Sequence, residues 1–116
     1  MINLDSFSQI YLYRPPVDFR RGINGLCALV QDQMNLDLFQ KYLFIFTNSK
    51  RNKLKALYWD KTGFAMWVKN LIEDKYRWPL NYENNVIEVD VDKLNKFLIG
   101  LDPFKLPFKE KKYSKV

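Results

Sequence analysis

The side chains able to do chemistry in this chain are cations. Arg20 and Arg21 stand together at the start of a helical pattern, and Lys50, Arg51, Lys53 and Lys55 crowd the tip and first strand of a hairpin pattern. Paired guanidinium groups beside the free amides of a helix start suit a phosphate, and Gly22 and Gly25 would let its backbone come near. The same glycines could instead serve close packing of the helix on a sheet. Bond-breaking chemistry lacks its usual carriers. With no histidine, the ordinary general base and the Ser/His or Cys/His pairs are missing. Cys27 is the sole cysteine, so neither an internal disulfide nor a His/Cys metal set can form. The carboxylates worth weighing as a metal-binding nuclease set are Asp18, Asp60 and Glu73. They read better as a helix cap, a turn residue and part of a polar connection. Gly22-Ile23-Asn24-Gly25 lacks the lysine and the preceding strand of a phosphate-binding loop. The expectation is a non-enzymatic protein without cofactor or metal.

These cations are positioned by the stretch 43–69. Leu43, Ile45 and Thr47 alternate with Phe44 and Phe46, and Leu54, Ala56 and Tyr58 alternate with Lys53, Lys55, Leu57 and Trp59. Phe64, Met66 and Val68 then alternate with Ala65, Trp67 and Lys69. Period-two patterning between turn clusters predicts an antiparallel meander. Its first loop, Asn48–Asn52, has turn formers at both ends and two cations at its tip. Its second loop ends in Gly63, which could take a positive φ and close the hairpin. Upstream, Gln9–Tyr13 reads as a short strand stopped by Arg14-Pro15-Pro16. Asp18 then reads as the N-cap of a helix over about 19–34, with Phe19, Ile23, Leu26, Val30 and Met34 as its apolar stripe. Downstream, residues 71–75 lead into Tyr76-Arg77-Trp78-Pro79, which predicts a further strand ended by the proline, and Val86–Val89 predicts a last one. Asp90 caps a second helix at about 91–100, with Leu94, Phe97, Leu98 and Leu101 on one face and Gly100 as a stop. The fold class expected is α+β: an antiparallel sheet of four to six strands with two packed helices. The second helix should close the remaining face or edge.

At 116 residues the chain suits one domain, expected over 1–103, followed by a basic and mobile tail over 104–116. A 47% hydrophobic and 16% aromatic composition argues against disorder. No apolar run approaches the ~20 residues a membrane span needs, and no export signal is visible, so a cytoplasmic location is expected. The net charge of +6 is unevenly spread. Residues 41–77 hold nine cations against three acids, and 104–116 hold five against one, whereas 78–103 hold two against five. Positive charge concentrated in the meander and tail is the footprint of a surface that meets a polyanion. Tyr58, Trp59, Trp67, Tyr76 and Trp78 fit either a core or a platform for unpaired bases.

Asp18–Leu26, Leu43–Phe46, Lys55–Asp60, Gly63-Phe64, Trp67, Lys69 and Trp78-Pro79 occur in order. In these separated blocks the chain resembles the small accessory transposition proteins, labelled TnpB or Orf2-like, of the bacterial insertion sequence 66 group. The resemblance runs from about Ile10 to Asp102. It implies a helper encoded beside a separate DDE-type transposase, with no defined catalytic residue. It does not extend to the RNA-guided nuclease that shares the TnpB label. This chain departs from the family's arginine run in the first loop, where it has Ser49-Lys50-Arg51-Asn52-Lys53. Lysine lacks the bidentate fork with which arginine reads bases. Two functions follow as expectations. One is an accessory protein that binds DNA through Arg20, Arg21, Lys50, Arg51, Lys53 and Lys55 in support of the transposase. The other is a module that docks on the transposase without touching DNA.

Overall fold

The computed structural model describes residues 3–72, 76, 78–79 and 83–98. In chain order the strands are β1 (Gln9–Tyr13), β2 (Tyr42–Thr47), β3 (Lys53–Asp60), β4 (Gly63–Asn70) and β5 (Val86–Val89). Helix α1 spans Ile23–Leu29 and runs on as a wider π turn over Val30–Met34, and α2 spans Val91–Leu98. A short 3-10 turn, Leu4–Ser6, precedes β1. The strands form one sheet in the order β4-β3-β2-β1-β5. The fold class is α+β, as expected.

The sheet is mixed where the alternation pattern predicted an all-antiparallel one. β2, β3 and β4 are the expected meander, but β1 pairs parallel with β2, Gln9 opposite Tyr42 and Leu12 opposite Ile45. Parallel neighbours need a long crossover, and residues 14–41, with α1 in them, supply it. β5 then pairs antiparallel with β1 on the far edge.

Each face of the sheet has its own core, and the alternation in β2 sorts them. Leu43 and Ile45 join Ile10, Leu12, Leu54 and Ala56 beneath α2, whose Leu94, Phe97 and Leu98 are buried there. Phe44 and Phe46 join Tyr13 and Leu57 beneath α1, which contributes Leu26, Leu29, Val30 and Met34. A central strand buried on both faces reads as a continuous apolar run, and YLFIF is one. Tyr76 stacks on Phe97 at 4.9 Å between centroids, and Trp78 lies 5.3 Å from the same ring. Both are core residues. The Trp78 indole donates to the Arg14 carbonyl at 2.7 Å.

Three local expectations are corrected. Helix α1 begins at Ile23, with Gly22 as an N-cap lacking a side-chain bond, so Asp18 does not cap it. The Val17 amide donates to the Thr47 carbonyl at 2.9 Å, tying residues 17–21 down over the end of β2 before the helix can start. Arg20 and Arg21 therefore precede the helix. In the β3–β4 hairpin the left-handed residue is Lys61 (φ 54°), while Gly63 already pairs with Asp60. Leu71, Ile72, Tyr76, Trp78 and Pro79 lie in no strand, and the rest of that predicted strand falls outside the described residues. The second helix is capped as expected, the Lys93 amide donating to Asp90 Oδ1 at 2.7 Å. It covers a face of the sheet. Its predicted end at residue 100 and the tail 104–116 lie outside the described residues.

Candidate nucleic-acid interface

The loop between β2 and β3 is held by one side chain. Asn48 Oδ1 accepts the amides of Asn52 and Lys53, both at 3.1 Å, while Asn48 Nδ2 donates to Asn52 Oδ1 at 2.7 Å. Asparagine bonding to nearby backbone is what favours it in tight turns. Arg51 takes the left-handed conformation (φ 58°), and its amide donates to the Asn48 carbonyl. On the side away from solvent, the Arg51 and Asn52 carbonyls accept the amides of Tyr76 and Leu71, each at 2.7 Å. Ser49 and Lys50 are left exposed at the tip of this braced loop, with Arg51 half-exposed.

The second part of the site is the segment 17–21, seated next to that loop by the Val17–Thr47 bond. Asp18 forms a turn here. Its Oδ1 accepts the Arg20 amide at 2.9 Å. The Arg20 guanidinium then folds back on the carboxylate: Nε donates at 3.0 and 2.9 Å, and Nη2 at 2.6 Å. These bonds, the side-chain ones first, hold the Asp18 carboxyl down to about 2, and they push the Arg20 guanidinium up. The pair is ionised throughout the neutral range. Arg20 is still 91% exposed, so the pair lies open to competing anions.

Between the two segments lies an open cleft of about 640 Å³, bordered by Asp18, Phe19, Arg20, Asn48, Ser49 and Lys53 among others. Arg20 and Lys53, far apart in sequence, thus share one cleft, with Lys50 and Arg51 on the same braced loop. Arg21 points to a neighbouring hollow of about 430 Å³, shared with Asp18, Asp32 and Gln33. Lys55 is placed differently from the expectation. It is 9% exposed, and its ammonium donates to the carbonyls of Phe19 and Arg21 at 2.9 and 3.0 Å. The same ammonium lies 4.8 Å from the centroid of the Phe19 ring. Burial, first, pulls its pKa down, with Lys53 adding to the shift and Asp18 opposing it. Lys55 is a strut under the arginine segment, with its donors turned inward.

The residues that sequence reasoning missed are Asp18, as the partner of Arg20, and Asn48, as the loop's brace. The Asp-x-Arg and Asn-x-x-x-Asn spacings are the signals that could have found them. None of the five aromatic residues singled out as possible platforms borders the cleft. Among the described residues no three His, Cys, Asp or Glu side chains cluster as a metal site would require. No helix among them is long and apolar enough to cross a membrane.

Comparison with known proteins bears on what this cleft serves. The family described as IS66 Orf2 like protein matches residues 8–107, most of the chain. The chain belongs to the IS66 Orf2-like family. Two relatives from Sinorhizobium fredii (strain NBRC 101917 / NGR234) are similar to this family member, and both are described as uncharacterized. The protein y4jC is 31% identical over 94 residues, 81% of this chain and 80% of the relative. The protein y4hO is 26% identical over 94 residues, 81% of each. No solved structure matches significantly. Membership in the IS66 Orf2-like family supports an accessory role in transposition.

Proposed function

We propose that this protein is a non-catalytic accessory factor of transposition that grips nucleic acid, in the cytoplasm, in support of a separate DDE-type transposase. The observation that carries the reading is the shared cleft of Arg20 and Lys53 beside the braced Lys50–Arg51 tip. Arg21 flanks it, and Lys55 fixes the arginine segment from beneath. Phosphates are the fitting ligand. The cleft offers point charges and a guanidinium fork, a set that neutralises a backbone, and the aromatic ring on its border, Phe19, already lies against the Lys55 ammonium. Arg20 already shows the chemistry in miniature by holding the Asp18 carboxylate with both Nε and Nη2. A phosphate oxygen pair would take the carboxylate's place on the guanidinium.

The test is co-purification with the element's transposase, with and without duplex DNA of the element's ends. The proposal predicts capture that depends on the DNA and fades as salt rises. Salt-insensitive capture without DNA would favour docking on the transposase alone, and would set this reading aside.

A further inference from the structure

β4 is the last strand of the sheet, so one of its backbone edges has no strand partner among the described residues. Edges in soluble proteins are normally blunted by short length, proline, or charges along the strand. β4 has eight residues and no proline. Its single charge, Lys69, is turned under the sheet, where its ammonium donates to the Leu98 carbonyl at 3.3 Å. Exposed apolar bulk gathers along the same strand. The large apolar side chains exposed among the described residues are Phe39, Val68 and Ile72, at 58%, 48% and 91%. Phe39 lies against Trp59 and Phe64 at the beginning of β4, with centroids 5.1 and 5.6 Å apart. Val68 is on β4 itself, and Ile72 follows two residues after its end.

We propose that β4 pairs antiparallel with β4 of a second copy of this chain, extending the sheet across a two-fold axis. The occupant is argued from self-complementarity. With Met66 opposite its own equivalent, Phe64 faces Val68 of the second copy, and the parity keeps the same face of both sheets together. The exposed Ile72 end of one chain then runs toward the Phe39, Trp59 and Phe64 cluster of the other. Charge supports the same choice. A net charge of +6 opposes self-association unless like charges are kept apart, and the proposed register sets Lys69 opposite Gly63 of the second copy. Along the strand a polyanion meets only Lys69, whose ammonium is engaged by the Leu98 carbonyl, and the exposed Lys61 stands apart at the hairpin before it. The pairing edge is separate from the basic cleft, although the Leu71 amide beside Ile72 donates to the Asn52 carbonyl of the β2–β3 loop.

Sedimentation equilibrium of the full chain at several concentrations tests it, beside the variant Val68→Asn/Ile72→Asn. The substitutions are uncharged so that Lys55, on the strand position opposite Val68, keeps its bonds. The wild type should approach twice its 14.0 kDa mass, and the variant should dimerise at least tenfold more weakly with an unchanged circular dichroism spectrum. Amide exchange in β4 should slow as the wild-type concentration rises, a readout that needs no variant. A monomer at about 100 μM, the range of weak but specific pairing, would overturn the proposal. So would a dimer indifferent to the substitutions whose β4 exchange does not change with concentration. Loss of transposase capture in the variant of a monomeric protein would assign the edge to that partner, and would equally overturn the second copy.

Discussion

Replacing Asp18 with Asn probes the cleft most sharply, because it removes a charge without removing the turn. Asn keeps an Oδ1 that can accept the Arg20 amide, as Asp18 does at 2.9 Å. What disappears is the anion on which Nε and Nη2 now converge. The cations Arg20, Arg21, Lys50, Arg51 and Lys53 then keep one neighbouring acid, Asp32 beside Arg21, instead of two. One more phosphate contact steepens log K against log salt by about 0.9. At about 0.1 M salt that slope converts to roughly eightfold tighter binding. The assay is fluorescence anisotropy with a labelled duplex over a salt series, wild type beside variant. An unchanged slope would refute the idea that Asp18 competes with phosphate. A weaker-binding variant would show that the carboxylate positions Arg20 for its ligand.

Lys55→Met keeps the aliphatic stem and loses two bonds of 2.9 and 3.0 Å, with part of the loss returned because a buried charge goes too. A net cost of about 2 kcal/mol, or roughly 5–10 °C in melting temperature, should accompany weaker DNA binding; an unchanged melt would deny the strut. Arg20→Gln/Arg21→Gln should melt like the wild type, because the Asp18 pair is exposed. Earlier melting would make the arginines structural. On the acid side, the Asp18 carboxyl sits near 2 when folded instead of 3.8, so the folded state binds its proton less readily than the unfolded chain. Its small stabilisation is present above about pH 4 and is lost as pH falls through about 2. The Asp18→Asn protein should show a shallower acid-unfolding limb in that window, and an identical limb would remove the pair from the stability account.

Much of the fold could be read in the sequence, and the failures share a cause. Alternation in β2 and β3 assigned Phe44, Phe46, Leu43 and Ile45 to their faces correctly, because side-chain direction in a strand is a local property. Alternation is blind to strand direction, however. Only the length of the 14–41 connection hinted that β1 would lie parallel to β2. A carboxylate before an apolar stripe usually caps a helix, but at Asp18 a guanidinium two residues away and the Val17–Thr47 tether claim the segment first. Lys55 looked like one more surface cation. Its burial depends on residues 19–21 crossing β3, which no spacing rule encodes. The grouping of Arg20 with Lys53 was likewise invisible, since it is created by the seating of one loop against another.

The central claim is that the cleft and its braced loop bind a phosphate backbone. It is tested most directly by the salt slope of duplex binding for the wild type against Arg20→Gln/Lys50→Gln/Arg51→Gln/Lys53→Gln. With about four net charges engaged, the wild-type slope should be near −3.6, and the quadruple variant should lose most of it while remaining folded. A variant that remains folded and keeps the wild-type slope and affinity would contradict the account.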